Sequence, residues 1–417
     1  MITVQDIATS GAAPAAPMPT AAFRERLLLL VLYITVLASS VAFIEPSPHD
    51  GLMLVLAVAC LVAGVRFERQ VAVLLLLLLA WNVAGLLTLL NVPGQEKTIQ
   101  YAATSIYLAV AAMLFAGLFA NNTMPRLTAV RMAYILTATL IALAGIAGYF
   151  SLFPHAHDLF ATYDRALGAF KDPNVFGPFL IWPALIVLER MLSRRLHLLD
   201  LLIVGILLLG LLLSFSRGAW FHFSVSSLVM MILAFITADS DRERVRIVAL
   251  GAIAIALVAT LVVAALSFDA VSSMFEQRAQ LIQPYDVGSG GRFNLQELAI
   301  GSVLDFPNGM GPFGFSDVYG TQQHNVYLQA FLVYGWVGGI AYLMLLATTF
   351  WTALRTVFVR TPWQPYLICT LAAFVGEVLE GFVIDTDHWR HFFLLLGMIW
   401  GLAAATNKFV RDEQSRY

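Results

Sequence analysis

Apolar residues occur along this chain in long blocks, separated by short segments that carry most of the polar and charged residues. A block of about 20 apolar residues spans the hydrocarbon core of a bilayer as an α-helix. Twelve such blocks can be delimited, at about 27–44, 51–65, 71–90, 101–120, 132–153, 174–189, 198–215, 219–237, 247–267, 326–350, 366–384 and 391–406. The pattern predicts an all-α integral membrane protein with about twelve transmembrane helices.

Composition agrees with this prediction. Of the 417 residues, 60% are hydrophobic and 12% are charged, whereas soluble domains have about 45–50% and about 25%. Twelve helices of about 20 residues would use nearly all of the apolar residues and leave no separate soluble core. The net charge of −2 gives no indication of nucleic-acid binding. The spacing of Cys60 and Cys369 indicates neither a disulfide framework nor a metal site.

The two ends of the chain differ from the rest. Residues 1–22 are rich in Ala, Pro and Thr and lack aromatic residues, which predicts a disordered tail. The first apolar block follows Arg24 and Arg26 and is longer than the core of about 7–15 residues in a cleaved signal peptide. We therefore expect a retained first span, a membrane domain over 23–407 and a second tail over 408–417.

The distribution of basic residues predicts the orientation of the helices. With an even number of spans and the N-terminus inside, 17 of the 24 Lys and Arg fall on the inner side, as the positive-inside rule requires. Both termini are therefore expected in the cytoplasm. The remaining cations fall on the outer side: Lys97, Arg165, Lys171, Arg217, Arg278, Arg292 and Arg390. Most histidines also lie toward the outer side, which indicates anionic ligands and proton transfer; anchoring at lipid headgroups is the alternative.

The longest predicted outer loop runs from about residue 268 to residue 325, between spans nine and ten. It contains Arg292, then a helix-like stretch over 293–304 and a Gly/Pro-rich segment over 307–314. His324 and Asn325 follow at the start of span ten. A histidine at this position suits a general base that titrates near neutral pH, although a helix-capping histidine is the more ordinary interpretation.

Two other outer segments carry isolated cations. Arg217 lies in the turn between spans seven and eight, where an arginine is costly and usually paired. Its guanidinium matches phosphate oxygens in a bidentate way, and tying two helices together is the alternative. Arg165 and Lys171 precede span six, where Pro173 predicts a helix start. Lys171 also suits a solvated pair with the neighbouring Asp172.

The last outer turn, over 385–391, carries His388 and Arg390. Its aspartates and histidines suggest a metal site, but their spacing supports that interpretation only weakly. Glu377 and Glu380 in span eleven are three residues apart and so share a helix face. Pairing of these carboxylates with the outer arginines is preferred over a proton relay.

Four segments together resemble the bacterial O-antigen ligase and polymerase superfamily. They are RALGAFKDPNVFGPFL at 165–180, LLLSFSRGAW at 211–220, GGRFNLQELAIGSVLDFPNGMGPFGF at 290–315 and QQHNVYLQAFLVYGWVGGIAYL at 322–343. Each motif is short, but their order and shared outer placement are specific to the superfamily, and the resemblance spans roughly residues 165–400. Arg217 matches the arginine of the SRG motif, Arg292 the arginine that opens the loop helix, and His324 the histidine of the HN motif.

The resemblance implies a metal-independent, inverting membrane glycosyltransferase of the GT-C type that needs no cofactor. It implies a bacterial inner-membrane protein whose active site faces the periplasm. The implied donor is an undecaprenyl-pyrophosphate-linked glycan, and the acceptor is lipid A–core or a lipid-linked glycan. The expected catalytic residues are His324, Arg217 and Arg292. The residues expected to bind substrate are Arg165, Lys171, Asn325, His388 and Arg390.

Three functions follow from these observations. The leading one is a ligase that transfers a lipid-linked polysaccharide to lipid A–core. The second is a polymerase of lipid-linked repeat units, which shares the fold and the chemistry. The third is a transporter or flippase that uses Glu377 and Glu380 for proton coupling. Transporter sites lie near the midplane of inverted repeats, whereas no repeat is evident here and the polar features collect on one side.

Overall fold

The computed structural model describes residues 19–415, apart from residues 45, 93–95, 194–196, 279–287 and 289. This part of the chain is nearly all helical. Its helices are α1 (Pro19–Leu37), α2 (Pro48–Ala63), α3 (Val71–Thr88), α4 (Glu96–Ala120), α5 (Thr123–Tyr149), α6 (Ala156–Phe160), α7 (Pro173–Phe179), α8 (Ile181–Ser193), α9 (Leu198–Leu213), α10 (Arg217–Thr237), α11 (Asp241–Leu266), α12 (Asp269–Arg278), α13 (Arg292–Asp305), α14 (Gly314–Tyr319), α15 (Val326–Thr356), α16 (Gln364–Glu380) and α17 (Arg390–Gln414). Two short strands, β1 (Ala161–Thr162) and β2 (Arg165–Ala166), pair antiparallel.

Each of the twelve predicted apolar blocks coincides with a helix, so the all-α membrane class is confirmed. Among the described residues, eight helical segments are long and apolar enough to cross a membrane: α3, α4, α5, α7 together with α8, α10, α11, α15 and α17. Helices α2 and α9 are apolar but shorter, and α1 and α16 cover the two other blocks. The chain is a multi-pass helical membrane protein, and the count of twelve crossings stays a prediction.

The predicted boundaries differ from the observed ones in places. Helix α5 begins at Thr123 instead of near residue 132, because Arg126 binds Glu25 (Nη2 to Oε2, 2.8 Å) and the carbonyl of Asn121 (3.0 Å) inside the helix. Helix α17 continues to Gln414, into the predicted second tail. In the predicted first tail, residues 1–18 lie outside the described residues. The helix-like stretch at 293–304 is confirmed as α13.

Helices α13 and α14 lie at one end of the bundle, which we call the loop end. The predicted inner cations Arg126, Arg190 and Arg355 lie near the start of α5, the end of α8 and the end of α15. These positions are at the opposite end of the bundle from His324, which precedes α15. These three cations therefore lie away from His324, and the orientation of the helices in the membrane stays a prediction.

Close contacts between helices hold the bundle together. Helix α17 lies directly on α4, and a side chain at Gly401 would come within 2.7 Å of the carbonyl oxygen of Ala116. Glycine therefore permits the approach of two backbones, as is typical of membrane interfaces. Buried tryptophans donate hydrogen bonds to threonines of neighbouring helices, as in Trp182 to Thr370 (3.1 Å). Such bonds satisfy polar groups where no water is present.

Helix α15 is broken at Gly335, whose φ of 67° and ψ of −176° are not helical. The loop after α13 fills the break: the N–H of Met310 donates to the carbonyl of Leu332 (2.6 Å), and the N–H of Trp336 donates to Pro307 (2.9 Å). The backbone groups freed by the kink are thus satisfied by the Gly/Pro-rich segment. This contact fixes the loop to the helix that begins beside His324.

We predict that Gly335→Ala lowers thermal stability in detergent by about 1–3 kcal/mol or more, since this backbone region is accessible essentially to glycine alone. A Cβ at Gly335 would also lie 2.9 Å from the carbonyl carbon of Asn308. The matched control is Gly301→Ala in α13, where a Cβ meets nothing within 4 Å. An unchanged melting temperature for Gly335→Ala would show that the kink is not required.

Candidate functional site

The start of α15 holds His324 and Asn325 at the loop end. The Asn325 side chain caps the helix by accepting from the N–H groups of Tyr327 (3.0 Å) and Leu328 (3.1 Å). Its amide nitrogen also donates to the carbonyl of Phe382 (3.2 Å), just beyond the end of α16. His324 has a φ of 51°, a left-handed conformation that few non-glycine residues adopt. The histidine is therefore held in a turn between two fixed helix ends.

Asp385 faces His324 from the segment after α16. Its Oδ2 lies 3.7 Å from Nδ1 of His324, and the two side chains are 21% and 47% exposed, respectively. Oδ1 of Asp385 is buried and has no hydrogen-bond partner within the described structure. This separation exceeds a formed hydrogen bond, but catalytic contacts are often longer in the absence of substrate. The carboxylate of Asp385 and the imidazole of His324 thus face each other.

Local charges set the protonation of His324. Burial lowers its pKa, the positive charge of Arg292 lowers it further, and Asp172 opposes both effects. The imidazole is therefore predominantly neutral at pH 7, which is the form that accepts a proton.

The pKa of Asp385 moves in the opposite direction. Burial raises it to about 7, and the negative charge of Asp387 adds to this shift. The N–H of Asn325 and the positive charges of Arg292 and His388 act against it. Asp385 consequently gains or loses its proton close to neutral pH.

Arg292 is the first residue of α13, which lies along α15. Leu295 and Ala299 of α13 pack against Leu332 of α15 in a small apolar cluster. This packing places the start of α13 close enough for the Arg292 charge to act on both His324 and Asp385. Arg292 thus acts on the pKa of His324 although it is 32 residues earlier in the chain, and a joint role of the two in catalysis stays a prediction.

Arg165 joins two of the predicted segments. It is 8% exposed, and its Nε donates to the carbonyl of Ser214 (2.7 Å) while Nη2 donates to Oδ1 of Asn174 (2.7 Å). Ser214 begins the turn that leads to Arg217. Ser216 caps α10, with its hydroxyl accepting from the N–H of Ala219 (3.3 Å). Arg165 therefore positions the turn that presents Arg217.

Residues at the N-terminus of α7 relate this turn to His324. Asp172 caps α7 by accepting from the N–H of Asn174 (2.8 Å), and Asn174 is also the residue that Arg165 binds. Asp172 lies close enough to His324 to affect its pKa. The segment at 165–174 thus contacts the turn before Arg217 and also acts on the pKa of the histidine.

The two membrane glutamates contact histidines, which sequence analysis did not predict. Oε2 of Glu380 lies 2.8 Å from Nδ1 of His222, and both side chains are 1% exposed. Nε2 of His222 donates to the carbonyl of Ala373 (2.9 Å). Oε1 of Glu377 lies 3.5 Å from Nε2 of His391. These contacts join α10 to α16 and α16 to α17.

A cavity of about 820 Å³ lies beside Asp385, the residue that faces His324. Three of the predicted binding residues, Lys171, His388 and Arg390, line it, and so do Asp172 and Asp385. Its wall at the loop end is polar, whereas deeper residues such as Phe115 and Leu394 are apolar. His324, Arg217 and Arg292 do not line this cavity.

A buried polar network forms one wall of the cavity. The hydroxyl of Tyr101 donates to Oδ2 of Asp387 (2.6 Å), and Nδ1 of His388 lies 3.2 Å from the same oxygen. Burial favours the neutral form of Asp387, but the charge of His388 and these hydrogen bonds outweigh it and lower the pKa of Asp387. Asp387 is therefore a fixed negative charge that orients its neighbours.

Arg390 binds an acidic partner within the protein. Its Nε and Nη2 lie 3.2 and 3.0 Å from the two carboxylate oxygens of Asp50. This bidentate pair ties the start of α17 to the start of α2. Binding of substrate by Arg390 stays a prediction, and its observed contact is structural.

The structure brings the predicted residues into two adjoining groups. His324 and Asn325 lie beside Asp385, with Arg292 close enough to act on its pKa. Lys171, His388 and Arg390 line the cavity that Asp385 also lines. Arg165 and Arg217 join the first group through α7 and the end of α16. Sequence reasoning missed the roles of Asp385 and Asp172, since an acidic residue in a polar turn has no distinctive spacing. It also missed the role of Tyr101 in α4.

Among the described residues, no group of three or more His, Cys, Asp or Glu is arranged to hold a metal ion. Cys60 and Cys369 are both free and buried.

Comparison with known families gives an independent result. Residues 202–343 match the family model described as O-antigen ligase. Residues 202–343 are therefore similar to the O-antigen ligase family. The match runs from α9 into α15 and includes Arg217, Arg292 and His324, which confirms the resemblance seen in these motifs. Arg165, Lys171, His388 and Arg390 lie outside the matched residues. No curated protein matches the chain.

We predict that the pKa of His324 responds in opposite directions to its two charged neighbours. Arg292→Gln should raise it, because a positive charge is removed, and Asp172→Asn should lower it while keeping the helix cap. The measurement is the pH dependence of acylation of His324 by diethyl pyrocarbonate, which reacts with the neutral imidazole, followed by peptide mass spectrometry. In the unaltered protein the midpoint should lie below the ordinary value of about 6.5.

The control is Arg360→Gln, an exposed cation that pairs with Asp239 at the opposite end of the bundle and should leave the midpoint unchanged. Shifts of the same sign for Arg292→Gln and Asp172→Asn would contradict the arrangement of charges described above.

We also predict that His222→Ala destabilises the protein strongly, by about 3–5 kcal/mol, because it leaves a buried carboxylate without its partner. His222→Gln retains a hydrogen-bond donor and should lose less. Thermal unfolding in detergent measures both, with Ser224→Ala on the exposed side of α10 as the matched control. Equal stability of all three variants would rule out a structural role for the pair of His222 and Glu380.

Proposed function

We propose that this chain is an O-antigen ligase that transfers a glycan from undecaprenyl pyrophosphate to a sugar hydroxyl of lipid A–core at the periplasmic face of the bacterial inner membrane. The observation that carries the proposal is the grouping of His324, Arg292 and Asp385 within and beside the residues that match the O-antigen ligase family. The family supports a membrane glycosyltransferase-type enzyme that uses lipid-linked glycan and lipid A–core.

The arginines suit the donor. Undecaprenyl pyrophosphate carries several negative charges, and these increase on the bridging oxygen as the glycosidic bond breaks. Arg217 and Arg292 would bind the pyrophosphate through their guanidinium groups and stabilise that charge. Arg165 supports them by holding the turn before Arg217. This role needs no proton donor, because the leaving pyrophosphate is a stable anion.

His324 suits the acceptor. Its lowered pKa keeps the imidazole neutral, and Asp385 lies on the Nδ1 side, so Nε2 would take the proton of the acceptor hydroxyl. The acceptor oxygen forms a bond to the anomeric carbon while the bond from that carbon to the phosphate oxygen breaks. General-base assistance of this kind contributes about 10²–10⁴-fold. Asp385 would stabilise the imidazolium that results.

The direct test is transfer by the purified protein in nanodiscs, with an undecaprenyl-pyrophosphate-linked glycan as donor and rough lipopolysaccharide as acceptor. We predict that His324→Ala lowers the rate by about 10²-fold or more and that Arg217→Ala or Arg292→Ala lowers it by about 10²–10³-fold. Arg360→Ala, far from the site, is the control. Transfer at the normal rate by a stably folded His324→Ala protein would count against the assignment of the base.

A gel of lipopolysaccharide from cells that lack the protein separates the ligase from its alternatives. Core-only lipopolysaccharide with accumulated lipid-linked polymer at the outer face is the result expected for a ligase. Core that carries a single repeat would instead indicate a polymerase. Lipid-linked glycan retained at the inner leaflet would indicate a flippase.

A further inference from the structure

The cavity beside Asp385 has two chemically different halves. Around its mouth lie hydrogen-bonding side chains, among them Gln100, Tyr101, Gln322 and Lys171. Its deeper part follows α4 as far as Phe115, about 22 Å along the helix axis from Gln100 at 1.5 Å per residue. That distance exceeds half the thickness of the hydrocarbon core, which is about 30 Å in total. The cavity therefore begins in a polar layer and ends among apolar side chains at membrane depth.

The position of the cavity relative to the reacting groups assigns it to one substrate. Asp172 and Asp385 line the cavity and also act on or face His324, so the cavity reaches the candidate base through these two carboxylates. His324 itself, Arg217 and Arg292 do not line it. In a single displacement that inverts the anomeric carbon, the attacking oxygen approaches opposite to the leaving group. If the pyrophosphate is held on the arginine side, the acceptor hydroxyl arrives from the cavity side. This step rests on the proposed function.

The lining indicates what kind of acceptor fits. Amide, carboxylate and phenol groups at the mouth can hydrogen-bond to a polyhydroxylated sugar, and the aromatic ring of Phe313 lies beside them. Mostly apolar pockets with a few placed polar groups are typical of ligand sites. Apolar side chains in the deeper half cannot hydrogen-bond to a sugar, but they can accommodate a hydrocarbon chain. An acceptor that is both glycan and lipid matches both halves.

We propose that this cavity is the acceptor site, which binds the acceptor glycan at its mouth beside Asp385 and a hydrocarbon chain of the same lipid-anchored molecule in its apolar depth. The donor binds on the opposite side of His324, at the arginines. Burial of only two methylene groups of a chain favours binding about tenfold, so a lipid-anchored acceptor binds at least tenfold more tightly than the same glycan without its lipid.

Cysteine protection tests binding without requiring turnover. Ala103 lines the cavity and is exposed to it, and the natural Cys60 and Cys369 are buried, so Ala103→Cys adds one accessible thiol. We expect rough lipopolysaccharide to protect this thiol from a maleimide. The delipidated core oligosaccharide should need at least a tenfold higher concentration, and undecaprenyl pyrophosphate should not protect. The control is Ile99→Cys, which is exposed on the first turn of α4 and does not line the cavity.

Three results of this experiment would overturn the proposal. Protection by undecaprenyl pyrophosphate at lower concentration than by rough lipopolysaccharide would make the cavity a donor site. Equal protection by the delipidated oligosaccharide would show that no hydrocarbon chain of the acceptor binds in the cavity. Absence of protection by any of the three would mean that the cavity binds neither substrate.

Transfer kinetics supply a second measurement with a different variant. Ala103→Trp, which fills the cavity, should raise the KM for rough lipopolysaccharide at least tenfold and leave the KM for the donor unchanged. Ile99→Trp should change neither value. A raised KM for the donor in Ala103→Trp would contradict the proposal. If the unaltered protein binds rough lipopolysaccharide in the protection assay but transfers nothing, the proposed function fails and the binding site stands.

Discussion

The contact between His222 and Glu380 is the interaction on which the candidate site depends. The two side chains lie 2.8 Å apart, buried between α10 and α16, where an unpartnered carboxylate would be very costly. Glu380 also lies against the first turn of α10: a Cβ at Gly218 would be 2.7 Å from Oε1 of Glu380. The next residue, Gly381, accepts the N–H of Val326 at 2.9 Å. The end of α16 therefore holds the turn of Arg217 and the start of α15 in one place, although these segments are more than 100 residues apart in the chain.

The same physical principle fixes the wall of the cavity. Tyr101 binds Asp387, so the start of α4 is tied to the segment that follows α16. Arg390 binds Asp50, so the start of α2 is tied to the start of α17. Buried polar groups are costly unless each finds a partner, which leaves these side chains few alternative positions. Groups that are held in place before the substrate binds need no reorganisation during the reaction. Asp385, which faces His324, lines the cavity beside these held groups.

The fold was largely predictable from the sequence, and the site only in part. Apolar blocks identify helices because the bilayer demands about 20 apolar residues in each crossing, so every predicted block coincides with a helix. The pattern did not reveal that α5 begins at Thr123, since Arg126 is accommodated inside that helix by Glu25. His324 and the arginines were found through motifs. Asp385 was not, because its raised pKa and its position 3.7 Å from His324 arise from packing between distant segments.

The central claim is that one displacement occurs between an arginine side that holds the leaving pyrophosphate and a cavity side that delivers the acceptor. The anomeric configuration of the new linkage tests it most directly. NMR of the product made by the purified protein from a donor of known configuration gives the answer. An α-linked donor should yield a β-linked product, since attack opposite to the leaving group inverts the carbon. An α-linked product would contradict the account, because retention requires a second displacement by a nucleophile of the protein itself.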